Sequence, residues 1–207
     1  MRLFRTIAGA HGGRVFANMG AGFGISDELA AQAVRYFLPP IIKSITRQTE
    51  SSQGLLQFLE FLGTRRFDRY MDDPSIFGHP HVEEHGRVLL AALFPRGREQ
   101  VRKIIANRAK VLPIAPHILE AMFPYVAVLA FGGIEQKTRQ PLGNILQRIA
   151  RGRVDAQGLN NPYAALAREI RQRKAATAKP RTAARRTSGL SGVFGALFAR
   201  GDARSAA

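Results

Sequence analysis

The sequence predicts an all-α fold: a compact multi-helix domain, followed by a disordered basic linker and a short C-terminal amphipathic helix. Three observations predict it. Apolar residues recur at spacings of three and four through most of the chain, the mark of helices with one buried face, and strict alternation is nearly absent. Prolines, glycines and polar capping residues punctuate that pattern at helix-length intervals. Near the C-terminus cations dominate, and one separate apolar stripe follows them. The corresponding ranges are 1–167 for the helical domain, 168–188 for the linker, 189–199 for the amphipathic helix and 200–207 for a disordered end.

Val15, Phe16, Met19 and Phe23 define the face of a first helix, which ends in the glycine-rich stretch around Gly22 and Gly24. Ser26 then offers an N-cap hydroxyl, with Asp27 and Glu28 in the first turn, where carboxylates complement exposed amides. Leu29, Ala33, Val34 and Phe37 supply the buried face of this second helix. Pro39 and Pro40 remove two backbone donors, so Ile41, Ile42 and Ile45 fall on a kinked continuation or on a new helix. After the polar turn TESSQ, residues Leu55, Leu56, Phe58, Leu59 and Leu62 form a strongly apolar helix that Gly63 can end. Asp72, Asp73 and Pro74 are turn chemistry. Helices follow from near Val82 to Phe94, stopped by Pro95, and from near Arg98 to Arg108. Pro113 or Pro116 opens the next, with Ile118, Leu119, Met122 and Phe123 facing inward. Two more fall near 142–150 and 162–173, the latter with Asn161 as cap and Pro162 at the first position.

Shifting the chain against itself by 85 residues lays AVRYFLPPII, 33–42, over ILEAMFPYVA, 118–127, so that Pro39 meets Pro124. With a slip of two, QGLLQFLEFL lies over QPLGNILQRI, and Asp68 then falls on Asp155. The recurring order of break, turn and apolar helix suggests two pseudo-repeated helical halves, with chance similarity between amphipathic helices as the rival explanation.

A chain of 207 residues accommodates one ordinary domain plus a tail. Lys and Arg outnumber Asp and Glu by 31 to 15. Residues 168–207 hold ten cations against two anions, net +8 in forty residues, while residues 1–167 hold 21 against 13, also +8. The absence of cysteine excludes a disulfide framework and thiolate zinc sites, and it suits a reducing compartment such as the cytoplasm. His11 and Arg14 interrupt the apolar residues of the first segment, so no signal peptide is predicted. The most apolar later window, 121–134, is 14 residues long, against the roughly 20 that a helix needs to span a bilayer. It reads as a buried core helix rather than a transmembrane segment.

Several local patterns resemble chemical sites. MGAGFG places Gly20, Gly22 and Gly24 close together, but neither the dinucleotide fingerprint nor Walker A has this spacing, and the glycines read as a helix terminus. HPHVEEH gathers His79, His81, Glu84 and His85; His81 and His85 stand four apart, on one side of a helix. Pro80 disturbs the helix start, the zincin spacing is absent and no fourth ligand is evident, so these read as solvated residues. Asp72 with Asp73, and Glu83 with Glu84, are sequence neighbours whose side chains diverge, as capping residues do. No nucleophile stands in a recognisable context. The sequence therefore predicts no enzyme, no metal and no cofactor.

The tail has two parts. Arg171, Arg173, Lys174, Lys179, Arg181, Arg185 and Arg186 lie in a stretch where only Glu169 opposes them. Such a stretch attracts polyanions with strong salt dependence, but it has no aromatic residue for stacking on bases, so any nucleic-acid contact is to phosphate. Leu190, Val193, Phe194, Leu197 and Phe198 then follow the pattern i, i+3, i+4, i+7, i+8, one face of a short helix. A helix this short is marginal in water and needs a groove: on its own domain, on a partner protein, or at an anionic membrane interface, though Gly192 and Gly195 weaken it.

Four stretches, GGRVFANMGAGFGIS, AAQAVRYFLPPIIKSITRQ, HGRVLLAALFPRGREQVRKIIANRA and ILEAMFPYVAVLAFGGIEQKT, stand in an order that resembles the bacterial family of unknown function numbered nine-three-seven, with its YidB-like relatives, over residues 4–138. Where that family usually carries Leu-Gly-His before Leu/Ile-Phe-Gly, this chain has Leu90, Ala91, Ala92, Leu93, Phe94 and Pro95. The resemblance implies an all-helical bacterial domain with no established activity, cofactor or catalytic residues. It also implies that a short Gly- and Leu-rich C-terminal segment after a polar linker, here GLSGVFGALF, belongs to the design. The sequence thus predicts a cytoplasmic, non-enzymatic scaffold or interaction domain. Its partner is an unknown protein or its own body, with nucleic acid or an anionic membrane as the alternatives for the basic tail.

Overall fold

The computed structural model describes residues 2–149 and 161–177; among them are eight α-helices, three short 3-10 segments and no strand. Helices α1 (Arg2–Ala8), α2 (Val15–Phe23), α3 (Asp27–Thr49), α4 (Ser52–Thr64), α5 (Pro80–Leu93), α6 (Gly97–Ala109), α7 (Pro116–Ile149) and α8 (Pro162–Thr177) follow in chain order. Short 3-10 segments lie at Ala10–Gly13, Asp68–Met71 and Pro74–Ile76.

Local chemistry sets most of the boundaries. Ser26 caps α3 by accepting from the Leu29 amide at 3.3 Å, and Ser51 caps α4 by accepting from the Gly54 amide at 3.0 Å. Gly24 ends α2 at φ 66°, a left-handed conformation that glycine adopts without a Cβ penalty. Asn161 accepts from the Ala164 amide at 3.2 Å, with Pro162 opening α8. Helix α1 has no counterpart in the sequence reading; its Ile7 is fully buried, and Leu3 and Phe4 pack against the core.

The prolines behave differently from expectation. Pro39 and Pro40 lie inside one continuous helix, and α7 runs unbroken through Pro124 and Pro141, absorbing the separate helix expected near 142–150. A proline at position i frees the carbonyl at i−4. Here those carbonyls belong to Arg35, Tyr36, Glu120 and Lys137, all four exposed residues. The cost, roughly 3 kcal/mol per interior proline, is carried by burial around the breaks. Phe37, Leu38 and Ile41 flank the first pair, and an unbroken run of buried residues from 122 to 133 surrounds Pro124.

Helix α7 is the centre of the core. It packs against α1, α3, α5, α6 and the 68–71 segment. Phe37 and Phe123 stack with ring centroids 4.3 Å apart where α3 meets α7. Helix α5 approaches so closely that a Cβ on Gly86 would stand 2.2 Å from the Pro124 carbonyl oxygen. The C-terminal end of α5 is held by α3: Ser44 donates to the Leu93 carbonyl, and Gln48 Nε2 donates to the Ala92 carbonyl at 2.7 Å. The length argument against a membrane span fails, because residues 116–145 form a helix long and apolar enough to cross a bilayer; 72% of its most apolar window is buried inside the protein, as in a core helix.

One compact unit ends at Arg173, and Lys174 begins a second. Residues 168–177, expected to open a flexible linker, continue α8 instead. Glu169 and Arg173, four apart, pair along the helix at 2.8 Å, and Arg171 pairs with Glu60 of α4. The two halves suggested by the internal repeat differ in build: the turn between α3 and α4 has no equivalent within the continuous α7.

Candidate functional site

Of the tail residues singled out in the sequence, Arg171, Arg173 and Lys174 lie on α8 and are exposed. Lys179, Arg181, Arg185 and Arg186, and the whole stripe of Leu190, Val193, Phe194, Leu197 and Phe198, lie outside the described residues. The ion pairs of Arg171 and Arg173 are surface pairs, with cation exposures of 63% and 64%. Such pairs contribute about 0–1 kcal/mol, so they tax rather than block a competing phosphate.

The start of α8 is fixed more firmly. Asn161 Nδ2 donates to the Gly63 carbonyl at 2.7 Å, tying α8 to the end of α4. A Cβ on Gly63 would stand 2.9 Å from the Ala164 nitrogen, so the two backbones touch. The buried Tyr163 hydroxyl donates to the Glu135 carbonyl at 2.9 Å and lies 2.8 Å from Thr138 Oγ1. Burial pushes the Tyr163 phenol up to about 12, so it stays a neutral donor.

Among the described residues, two polar side chains are buried: His11 and Glu135. Glu135 Oε2 accepts from the Phe67 amide at 2.7 Å and the Asp68 amide at 3.0 Å, and its other oxygen pairs with Arg139. Arg139 also reaches Asp68 at 3.3 Å. The carboxylate thus caps the 68–71 segment from α7, although burial pushes its pKa up. His11 sits at φ 55° within a left-handed turn shared with Gly12 and Gly13. Its Nε2 faces the Tyr70 carbonyl at 3.1 Å and its Nδ1 faces Asn18 Nδ2 at 3.2 Å. A carbonyl only accepts, so Nε2 carries the proton and Nδ1 accepts from the amide. Both side chains hold backbone in place. Neither stood out in the sequence, where a lone Glu in a helix and a lone His beside glycines carry no distinguishing signal.

The histidine cluster is compact. Ring centroids of His79 and His81 are 5.4 Å apart and those of His81 and His85 are 6.1 Å apart, so the shared side expected of positions 81 and 85 is present. The Tyr70 hydroxyl lies 2.8 Å from His85 Nδ1, which engages one of that ring's two nitrogens. Among the described residues no group of three His, Cys, Asp or Glu is arranged to hold a metal ion. Burial, and then Arg65 and Arg69, push the His85 imidazole down to about 4. The glycines of MGAGFG serve packing: Gly20 lies against the Ile25 carbonyl, Gly22 against Phe77, and Gly24 caps α2. Asp73 accepts from the Ser75 hydroxyl and amide, which hold its carboxyl below the usual range, and Glu83 pairs with Arg87 at 2.6 Å.

No curated protein and no solved structure matches the chain. One family model does, described as "Bacterial protein of unknown function (DUF937)", over residues 5–137. That span runs from α1 through the centre of α7 and includes both buried polar residues and the whole histidine cluster. It ends before α8 and the cationic segment. Covering more than half of the sequence, the match places this chain in that bacterial family of unknown function.

Proposed function

We propose that this protein is a non-enzymatic, cytoplasmic interaction domain whose C-terminal stripe docks in a groove, on its own domain or on a protein partner. The observation that carries the reading is the anchoring of α8. Asn161, Tyr163 and Arg171 fasten it to α4 and α7, so the domain extends through α8 up to the point in the sequence where the cationic segment begins. Fifteen residues separate Lys174 from the first stripe residue, Leu190. The five large side chains of the stripe repay ordering when they are buried together, at roughly 1.5–3 kcal/mol each, and do not repay it alone. Glu135 and His11, both buried, are engaged in holding backbone, which agrees with a role in presentation.

Deleting residues 187–207 tests this reading. It predicts a loss of thermal stability, a change of oligomeric state or the loss of a specific bound protein. No change in any of the three sinks it. A second reading, phosphate-directed nucleic-acid binding, draws on the net +8 of residues 168–207. It predicts binding to DNA and RNA that weakens steeply with salt, largely vanishes on deletion of 168–187 and falls sharply on deletion of 178–187 alone. Arg171 and Arg173 contribute less than Lys179, Arg181, Arg185 and Arg186 in that case, because each must first leave a carboxylate.

A further inference from the structure

We propose that the outward face of α6, flanked by Lys43 and Arg47 of α3, binds the phosphate backbone of a double-helical nucleic acid. The face lies within residues 5–137, far in sequence from the cationic tail and the docking stripe. Residues 96–110 hold six cations, Arg96, Arg98, Arg102, Lys103, Arg108 and Lys110, against one anion, Glu99. That is net +5 in fifteen residues, a higher density than the net +8 in forty of residues 168–207.

Helical geometry gathers this charge on one side. Ile105 is the buried residue of α6, and Val101 and Ile104 pack against the core beside it. The exposed positions 98, 99, 102, 103, 106 and 107, with Lys110 at the end, share the opposite half of the helix. Arg98, Arg102, Lys103 and Lys110 thus stand along one face about 18 Å long. Glu99 sits in the first turn, where a carboxylate complements exposed amides. Among the described residues, no carboxylate lies within ion-pair distance of Arg96, Arg98, Arg102, Lys103 or Lys110.

Helix α3 extends the charge. Arg108 turns away from the outward face, its guanidinium 5.6 Å over the ring of Tyr36 on α3. At its other end α6 starts a few residues after Ala92 and Leu93, whose carbonyls Gln48 and Ser44 of α3 hold. The two ties lay α6 back along α3. Lys43 and Arg47 stand seven and eleven positions on from Tyr36, in the exposed stripe of α3, which has no acidic residue after Glu28.

The chemistry of the face selects its partner. Ala106 is its apolar member, and Val111, exposed just past the end of α6, is a single side chain. The face therefore lacks both the apolar area by which an interfacial helix enters lipid and the large anchors of a protein interface. The whole chain is net +16, so a second copy or its own tail is repelled. No outward residue of α6 is aromatic, which leaves nothing for unpaired bases to stack on. Closely spaced phosphate remains. A duplex carries one charge per about 1.7 Å, so about 18 Å of its axis presents about ten phosphates to the face.

The test uses the full chain with its tail charges removed by Lys179→Gln/Arg181→Gln/Arg185→Gln/Arg186→Gln, so that the face is read apart from the tail. Affinity for a short DNA duplex of arbitrary sequence is followed by fluorescence anisotropy against salt concentration, with and without Arg102→Gln/Lys103→Gln. Both residues are exposed and glutamine keeps their helix propensity, so the fold persists, which circular dichroism checks. The expected result is saturable duplex binding that weakens at least about tenfold at low salt when the pair is neutralised, with the logarithmic salt slope reduced by about 2. A single strand of the same sequence should bind more weakly. Absence of duplex binding overturns the proposal, and flotation with phosphatidylserine vesicles that depends on the same pair would then assign the face to lipid. Undiminished duplex binding by the folded pair variant also overturns it, as does equal binding of the single strand. Binding lost with the tail charges alone overturns this face and leaves the tail reading standing, and the stripe at 189–199 is unaltered in every chain.

Discussion

Replacing Glu135 by Ala removes the acceptor for two backbone amides in a place water does not reach, since the residue is 0% exposed. Each buried amide left without a partner costs about 1–3 kcal/mol. Arg139 keeps Asp68 at 3.3 Å and is 26% exposed, so it recovers part of what it loses. The expected loss is about 3–5 kcal/mol, the scale for breaking a buried charged pair from one side. Against the 5–15 kcal/mol typical of a whole domain, that is severe. Glu135→Gln retains an oxygen for the two amides but sets an amide NH2 against Arg139, and should cost about half as much.

The pH dependence adds a second readout. Burial raises the Glu135 pKa, and a carboxyl raised in the folded state contributes stability that is complete below its unfolded value and is lost as pH rises through the folded one. The advantage of the natural protein over Glu135→Gln therefore narrows as pH rises from the acid end of carboxylate titration towards neutrality. Urea unfolding followed by far-ultraviolet circular dichroism measures both quantities. A loss below about 1 kcal/mol for Glu135→Ala, or a Gln variant as weak as the Ala variant, would refute the reasoning.

Three further outcomes are expected. Gly86→Ala forces a Cβ to 2.2 Å from the Pro124 carbonyl oxygen, so α5 and α7 must separate, at a cost of about 1–3 kcal/mol or more in the same urea assay. His85 is held down to about 4 in the folded chain against an ordinary 6.5, so the unfolded chain takes up its proton first and stability falls as pH drops between those values; His85→Gln should flatten that slope. Ser26→Ala deletes the acceptor for the Leu29 amide and should lower stability by about 0.5–1 kcal/mol, measurable as a lower Tm.

The helical class and several boundaries were legible because they rest on local chemistry. Ser26, Gly24, Pro116 and Asn161 act within a turn of the boundary they set, and each does what its residue type implies. The continuity of α3 and α7 was not legible, because it depends on which carbonyls the prolines release and whether those face water, a tertiary property. The same holds for α8, whose cations read as linker composition until Glu60, distant in sequence, supplied a partner for Arg171. Of the candidate sites, the shared side of His81 and His85 followed from helical spacing, but the tyrosine that engages His85 comes from another segment. Glu135 and His11 were invisible for a similar reason. The groups they hold in place, the Phe67 and Asp68 amides and the Tyr70 carbonyl, are backbone more than fifty positions away, and backbone leaves no trace in sequence.

The central claim is that the stripe from Leu190 to Phe198 docks in a groove, and hydrogen exchange across 189–199 addresses it most directly. The full chain is measured alone and in any complex it forms at low and at high salt, beside Phe194→Asp. The account predicts slowed exchange over 189–199 in one of those states, persisting at high salt and abolished by Phe194→Asp. Exchange at the rate of an unfolded chain in every state would contradict it.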